Sequence, residues 1–184
     1  MKMSSEVSVI IRRILDDLRV ELSDEFDENF EREGFFSESW QRRISPLRGD
    51  GHILVDTGQL RRSIESRIDG NSITFFTTLP YAGIHNDGGE IVVTERMKKY
   101  FWWRWKSAEG TFERKKDGGV RKTKKNARLQ TEADFWKWMA LKKVGSKIRI
   151  PRRRFLGSSP EVERIVREVI EENLGDALAH IIEH

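Results

Sequence analysis

Cysteine is absent from this 184-residue chain. That excludes a disulfide framework and every zinc site built on thiolates, and it is compatible with a reducing cytoplasm. Long apolar runs are missing too. No stretch approaches the roughly 18 consecutive apolar residues of a membrane span, so no membrane partner is expected. Ser4, Ser5 and Glu6 stand before the apolar residues of the N-terminus, and acidic residues soon follow, unlike a signal peptide. There is no internal repeat, no Gly-rich phosphate loop and no Ser-His-Asp order. Proline is scarce, and three of the four prolines read as boundaries. Pro80 and Pro151 stop strands because they lack the N–H a ladder needs, and Pro160 suits the first position of a helix.

Charged residues make up 35% of the chain and apolar ones 37%, with ten Phe and six Trp. So many large aromatics argue for a folded chain with a modest core rather than disorder. The length suits one domain, read as residues 1–184. The net charge of +4 conceals a segregation. Residues 1–97 carry 12 basic and 18 acidic side chains, residues 98–154 carry 20 and 5, and residues 155–184 carry 2 and 7. A basic block between acidic ends points to a polyanion or to complementary protein contacts.

Ser4 or Ser5 can cap a helix running to about Glu33. Val7, Ile11, Ile14, Leu15, Leu18, Leu22, Phe26 and Phe30 recur at spacings of three and four, giving one apolar stripe. The acidic residues on its other faces are either a solvated surface or a dock for a basic neighbour. Phe35, Phe36 and Trp40 are expected to cover the core. The Arg-Gly-Asp at 48–50 is too short to carry an integrin reading.

The stretch the chain is organised around runs from Leu54 to Val93. Thr57 can cap a helical turn through Ser63. Asp69-Gly70-Asn71 separates two β-rich runs, residues 60–68 and 72–78, which read as an antiparallel hairpin. Tyr81 and Ile84 are expected to anchor the next turn. His85 and Asn86 would bond its backbone, with Gly88-Gly89 supplying positive φ. His85 and Asp87 alone are too few for a metal site. Ile91 to Val93 forms a third short strand.

Thr94 can cap a helix from Glu95 to about Lys106, whose Trp102, Trp103 and Trp105 exceed what one narrow stripe can bury. These read as core or subunit packing, or as a platform for nucleotide bases. A basic, mobile insertion is expected at about 107–130, and its Lys115, Lys116, Arg121, Lys122, Lys124 and Lys125, with those three Trp, are the expected partner contact, the basic block rather than the motif turn carrying its electrostatic part. Thr131 would start a second helix, with Phe135, Trp138, Met139 and Leu141 facing inward and Gly145 ending it. Lys147 to Ile150 would pair near Ile91, Phe155 and Leu156 would plug the core, and Ser159 would cap a last helix whose apolar stripe, Val162, Ile165, Val166, Val169, Ile170, Leu174, Leu178, Ile181 and Ile182, packs beside the first. The fold class is therefore α+β: an antiparallel sheet of about three to five strands built on a hairpin, long N- and C-terminal helices, and an inserted Trp-rich helical hairpin.

Three motifs, DTGQLRRSI, YAGIHNDGG and IPRRRFLGSSP, occur in this order with a Trp-rich insertion between the second and third. In order and spacing the chain resembles the Mu-like phage virion morphogenesis family, the tail completion proteins of contractile-tailed phages. The resemblance implies a non-enzymatic assembly protein at the end of a phage tail or at its junction with the head, in the virion and, during assembly, in the host cytoplasm. It implies a ring of copies meeting tail tube or head–tail connector proteins, with non-specific contact with phage DNA allowed. It makes Thr57, Gly58, Leu60, Tyr81, His85, Gly88, Gly89, Pro151, Phe155 and Leu156 the motif and assembly residues, with the turn around Tyr81 to Gly89 a fixed element near the subunit contact surface. No cofactor is implied.

Two other readings compete. A nucleic-acid-binding module would use the basic block and its Trp residues. A magnesium-dependent nuclease would have to be built from Asp87, Glu95 and Lys98, carboxylates from a loop and a helix start with nothing to cradle phosphate.

Overall fold

In a computed structural model that describes residues 2–43, 47 and 51–182 (for residues 2–5, 180 and 181 the backbone only), helices dominate and strands come in pairs. The chain divides into two compact units. The first comprises Met1–Gln41, His52–Asp87 and Arg152–His184, and the second Arg42–Gly51 and Gly88–Pro151.

In the first unit, α1 (Lys2–Arg32) presents its stripe as read: Leu15, Leu18, Leu22, Phe26 and Phe30 are buried. The stripe fails at its start, where Val7 stays exposed. Its partner is α6 (Pro160–Ile182), which runs beside it. Ser159 caps α6 by accepting the Val162 N–H at 3.3 Å. Arg13 pairs with Asp176 at 3.0 Å, and Asn173 donates to Asp17 at 3.0 Å, so the helices are antiparallel. Ile165 is buried against Leu22 and Phe26, but Leu174 and Leu178, expected on the buried stripe, are exposed. They lie toward the end where Ile10, Ile11 and Ile14 of α1 are only half-buried and Val7 and Val9 are exposed.

Between these helices the first unit carries a small ribbon, β1 (Gly34–Phe35) with β2 (Glu38–Ser39), the turn α2 (Gln59–Arg62), the hairpin β3 (Glu65–Asp69) with β4 (Ser72–Phe76), and α3 (Ala82–Asp87). The hairpin pairs Glu65 with Phe76 and Asp69 with Ser72, and Gly70 at φ 56° makes its turn. Phe75 meets Phe26 edge-on at 5.0 Å, which lays the hairpin on α1.

The second unit holds β5 (Gly89–Val92), α4 (Glu95–Gly110), α5 (Lys124–Leu141) and β6 (Lys147–Ile150). β5 and β6 pair antiparallel, with Ile91 opposite Ile148, so the expected pairing near Ile91 is present. The α+β class stands, but the single sheet of three to five strands does not: the described residues form three separate two-stranded ribbons. A two-stranded ribbon is marginal alone, so each must be held by neighbouring elements.

The helical hairpin is longer than its sequence suggests. α4 continues four residues past Lys106, and α5 starts seven residues before Thr131. The reason is a cap the sequence reading passed over. Thr123 accepts the Asn126 N–H at 3.1 Å, so the helix begins there. Thr131 lies within α5 and its hydroxyl donates back to the Ala127 carbonyl at 3.1 Å. The basic insertion thus contracts to a connection of residues 111–123. Gly145, at φ 85°, follows the end of α5 at Leu141 and donates its N–H to the Val93 carbonyl at 2.9 Å. Arg-Gly-Asp 48–50 lies outside the described residues.

Candidate functional site

The three motifs meet in one core cluster. Leu60 from the first, Ala82 from the second and Phe155 from the third pack with Phe30, Trp40 and Ile53. Nothing in their spacing along the chain announces this; the fold brings them together.

The first motif works through its glycine. Gly58 sits at φ 71° ahead of α2, a left-handed position that suits glycine. A side chain there would also meet the Arg62 guanidinium at 2.6 Å. Arg62 donates to the Thr57 carbonyl at 2.7 Å, and the Thr57 hydroxyl accepts the Gln59 N–H at 3.3 Å. Gly58 rather than Thr57 is the residue at the helix boundary. Arg61 ties α2 to α1 by a two-pronged contact with Asp27 at 2.5 Å and a further contact with Glu31. The guanidinium's hydrogen bonds hold the Asp27 carboxyl below its ordinary pKa.

The second and third motifs form a latch. Contrary to the expectation that Asn86 would bond the backbone of its own turn, it reaches across: its Oδ1 accepts the N–H groups of both Phe155 and Leu156 at 3.0 Å. The His85 carbonyl accepts the Arg153 N–H at 2.8 Å. The far side of the same segment is held from α1 and its following loop. Asn29 donates to the Phe155 carbonyl at 3.4 Å and accepts the Phe36 N–H at 2.9 Å. Trp40 donates its indole N–H to the Arg154 carbonyl at 2.6 Å, and Arg153 donates to the Gln41 carbonyl at 3.0 Å. Arg154 lies over the Phe35 ring at 4.4 Å and donates to the Ser158 carbonyl at 2.5 Å. Asn29 is fully buried yet absent from the sequence-derived set. Its signal was available: a polar residue in register with Leu22, Phe26 and Phe30 on the apolar stripe.

Tyr81 is not the anchor of its turn. It is 40% exposed, and Ala82 carries the burial. Tyr81 contacts His85 edge-on at 6.1 Å. Gly88 and Gly89 adopt φ 74° and 155°, as their role requires. His85 is half-buried, and its Nδ1 has no hydrogen-bond partner among the described residues. Burial, with the Arg153 charge added, pushes its pKa below the usual 6.5.

The second unit offers a different surface. Phe101, Met139 and Ala140 form its core, with Met97, Trp102, Phe135, Trp136 and Ile148 packed around them. Trp136, not Trp138, faces inward: Trp138 and Leu141 are exposed, because the contact line on α5 follows Ala133, Trp136 and Ala140. Of the Trp residues in α4, Trp102 and Trp105 are half-buried and meet edge-on at 5.2 Å. Trp103 is 58% exposed and lies 5.8 Å from Tyr100, which is itself exposed and 5.8 Å from Trp136. Lys142 covers Trp138 at 4.0 Å. Lys115, Lys116, Arg121 and Lys122 are exposed on the connection, while Lys124 and Lys125 open α5; Lys125 pairs with Glu113 at 3.0 Å. The connection is pinned by Asn126, which accepts the Glu113 N–H at 2.9 Å and donates to the Glu113 and Arg121 carbonyls at 2.9 and 2.7 Å.

Among the described residues, no three of His, Asp and Glu gather as a metal site would require, and no helix is long and apolar enough to cross a membrane. The arrangement therefore consists of a buried latch joining the motifs and an exposed aromatic and basic surface. A family model, that of the phage virion morphogenesis family, matches residues 4–175. No curated protein and no solved structure matches.

Proposed function

The chain belongs to the phage virion morphogenesis family, and from that premise we propose that it is a tail completion or head–tail joining subunit that works as a closed ring of copies. The coarser part follows from the family itself: the role is a structural one in virion assembly. The finer part rests on one observation. Leu60, Ala82 and Phe155, one from each motif, are spent on a buried junction with Asn86 bridging to the third motif, while the Trp-rich hairpin leaves large aromatics exposed for contacts with other molecules. Trp103 and Tyr100 are large exposed aromatics of the kind that anchor protein interfaces. The partners proposed are other copies of the chain, tail tube or connector proteins, and non-specifically the phage DNA. The sites of action are the virion and, during assembly, the host cytoplasm. The chain acts by binding and needs no cofactor.

The test is solution mass at several concentrations, followed by electron microscopy. A discrete oligomer that appears as a ring supports the reading. A monomer at every concentration, with no effect on tail maturation when added to extracts lacking the protein, refutes it.

A second reading, nucleic-acid binding, is favoured by the exposed Lys115, Lys116, Arg121 and Lys122 beside an aromatic hairpin. Salt-dependent DNA binding that disappears when residues 111–123 are replaced by a neutral turn supports it.

A further inference from the structure

The division into two units also sorts the charge. The first unit contains 13 basic and 22 acidic residues, the second 21 and 8. One chain therefore carries both members of a complementary pair. Among the described residues of the first unit, two depressions adjoin where α1 meets the β3–β4 hairpin, the larger extending to α6. One is an apolar groove of about 450 Å³, floored by Leu15, Leu18, Ile73, Phe75, Val162 and Val166. The other is an acidic cleft of about 220 Å³ that shares Phe75 and is lined by Asp24, Asp27 and Glu65, with Arg61 the one basic side chain. Arg61 and Asp27 are already engaged with each other, and Arg61 with Glu31 as well, which leaves Asp24 and Glu65 as the carboxylates facing an incoming cation. The second unit presents the converse: Trp103 and Tyr100 side by side and exposed, with the basic residues Arg96, Lys99 and Lys106 nearby on the same helix.

We propose that the aromatic and basic edge of α4 in one copy docks into the groove and acidic cleft of the first unit of the next copy. The contact is head-to-tail. A surface of one kind meets a surface of another, and repetition of such a contact closes a ring when the rotation permits. The groove is large enough to take an aromatic side chain, and the cleft supplies carboxylates to the cations beside it. Aromatic anchors seated in an apolar pocket, with charges at the margin, are the pattern in which a few residues dominate affinity. The inference rests on the ring reading and adds to it the two faces.

The test uses the full chain in two variants. Trp103→Ser with Lys106→Glu removes the inserting edge. Asn71→Trp fills the groove from an exposed position on the hairpin turn that lines it. Circular dichroism and urea unfolding confirm that both fold. Each variant alone is expected to lose self-association by tenfold or more. Mixed, they should form one-to-one pairs and nothing larger, because one retains the groove and the other the edge. Either variant assembling like the parent overturns the assigned faces while leaving the ring reading intact. A mixture that behaves as the sum of its parts also overturns them. A parent chain that is monomeric at every concentration at low salt overturns both. If Trp103→Ser with Lys106→Glu loses binding to a DNA oligonucleotide but keeps its oligomeric state, the edge is a nucleic-acid surface instead.

Discussion

Replacing Asn86 by Ala tests the latch most directly. One oxygen accepts two backbone donors, those of Phe155 and Leu156. Phe155 is essentially fully buried, so its N–H finds no water when the acceptor is removed, whereas Leu156 is half-buried and its N–H can be partly solvated. An unsatisfied buried donor costs about 1–3 kcal/mol and a replaced hydrogen bond about 0.5–1.5 kcal/mol. The two together put Asn86→Ala at about 2–4 kcal/mol, a large part of the 5–15 kcal/mol typical of a folded domain. Asn86→Asp is the control. It keeps an acceptor for both donors, and a charged acceptor bonds more strongly. It gives up the Asn86 amide's bond to Asp87 and sets two carboxylates side by side. Its loss should stay below about 1.5 kcal/mol. Urea unfolding followed by circular dichroism gives the free energies, with an unchanged slope required for the comparison. Hydrogen exchange at the Phe155 and Leu156 amides reads the latch itself: it should accelerate in the Ala variant and stay slow in the Asp variant. Equal losses for the two variants, or a loss below about 0.5 kcal/mol for Ala, would refute the argument that a shared acceptor holds the junction.

Acidification should destabilise the first unit through His85. Its folded pKa lies below the ordinary 6.5, so the unfolded chain takes up the proton first; the stabilisation is complete above about pH 6.5 and declines as pH falls toward the folded pKa. His85→Gln should flatten the drop in urea midpoint between pH 7.5 and 5.5, and an unchanged drop would show that other groups cause it. Limited trypsin digestion should cut first among Arg114, Lys115, Lys116, Arg121 and Lys122, all exposed on the connection, leaving associated fragments. Asn126→Ala should speed those cuts several-fold, since it deletes three side-chain hydrogen bonds that pin the connection, and an identical digestion rate would argue against that role. Replacing Lys115, Lys116, Arg121, Lys122, Lys124 and Lys125 with Gln should leave the urea midpoint nearly unchanged and weaken partner or DNA association most at low salt, a result that equal association at 50 mM salt would contradict.

The amino-acid sequence determined the elements that a short-range signal can specify. The spacing of Leu15, Leu18, Leu22, Phe26 and Phe30 gives α1 and its buried face, Asp69-Gly70-Asn71 gives the hairpin turn, and Ser159-Pro160 gives the start of α6. These rest on periodicity, on backbone freedom at one glycine and on one hydroxyl, all local. The start of α5 was local as well, but Thr123 and Thr131 offer the same chemistry. The choice falls to Asn126, whose side chain binds residues 113 and 121 and so rewards the earlier start. Only tertiary structure decided the rest. That Trp136 turns inward and Trp103 outward depends on which line of α5 meets α4, which the even spread of aromatics leaves undetermined. That Asn86 satisfies donors about seventy residues away, rather than its own turn, depends on the chain returning there. The sorting of charge between two units is the same case. Runs of charge are visible along the chain, but which runs share a surface depends on non-local contacts, and hydrophobic burial alone is too undirected to specify them.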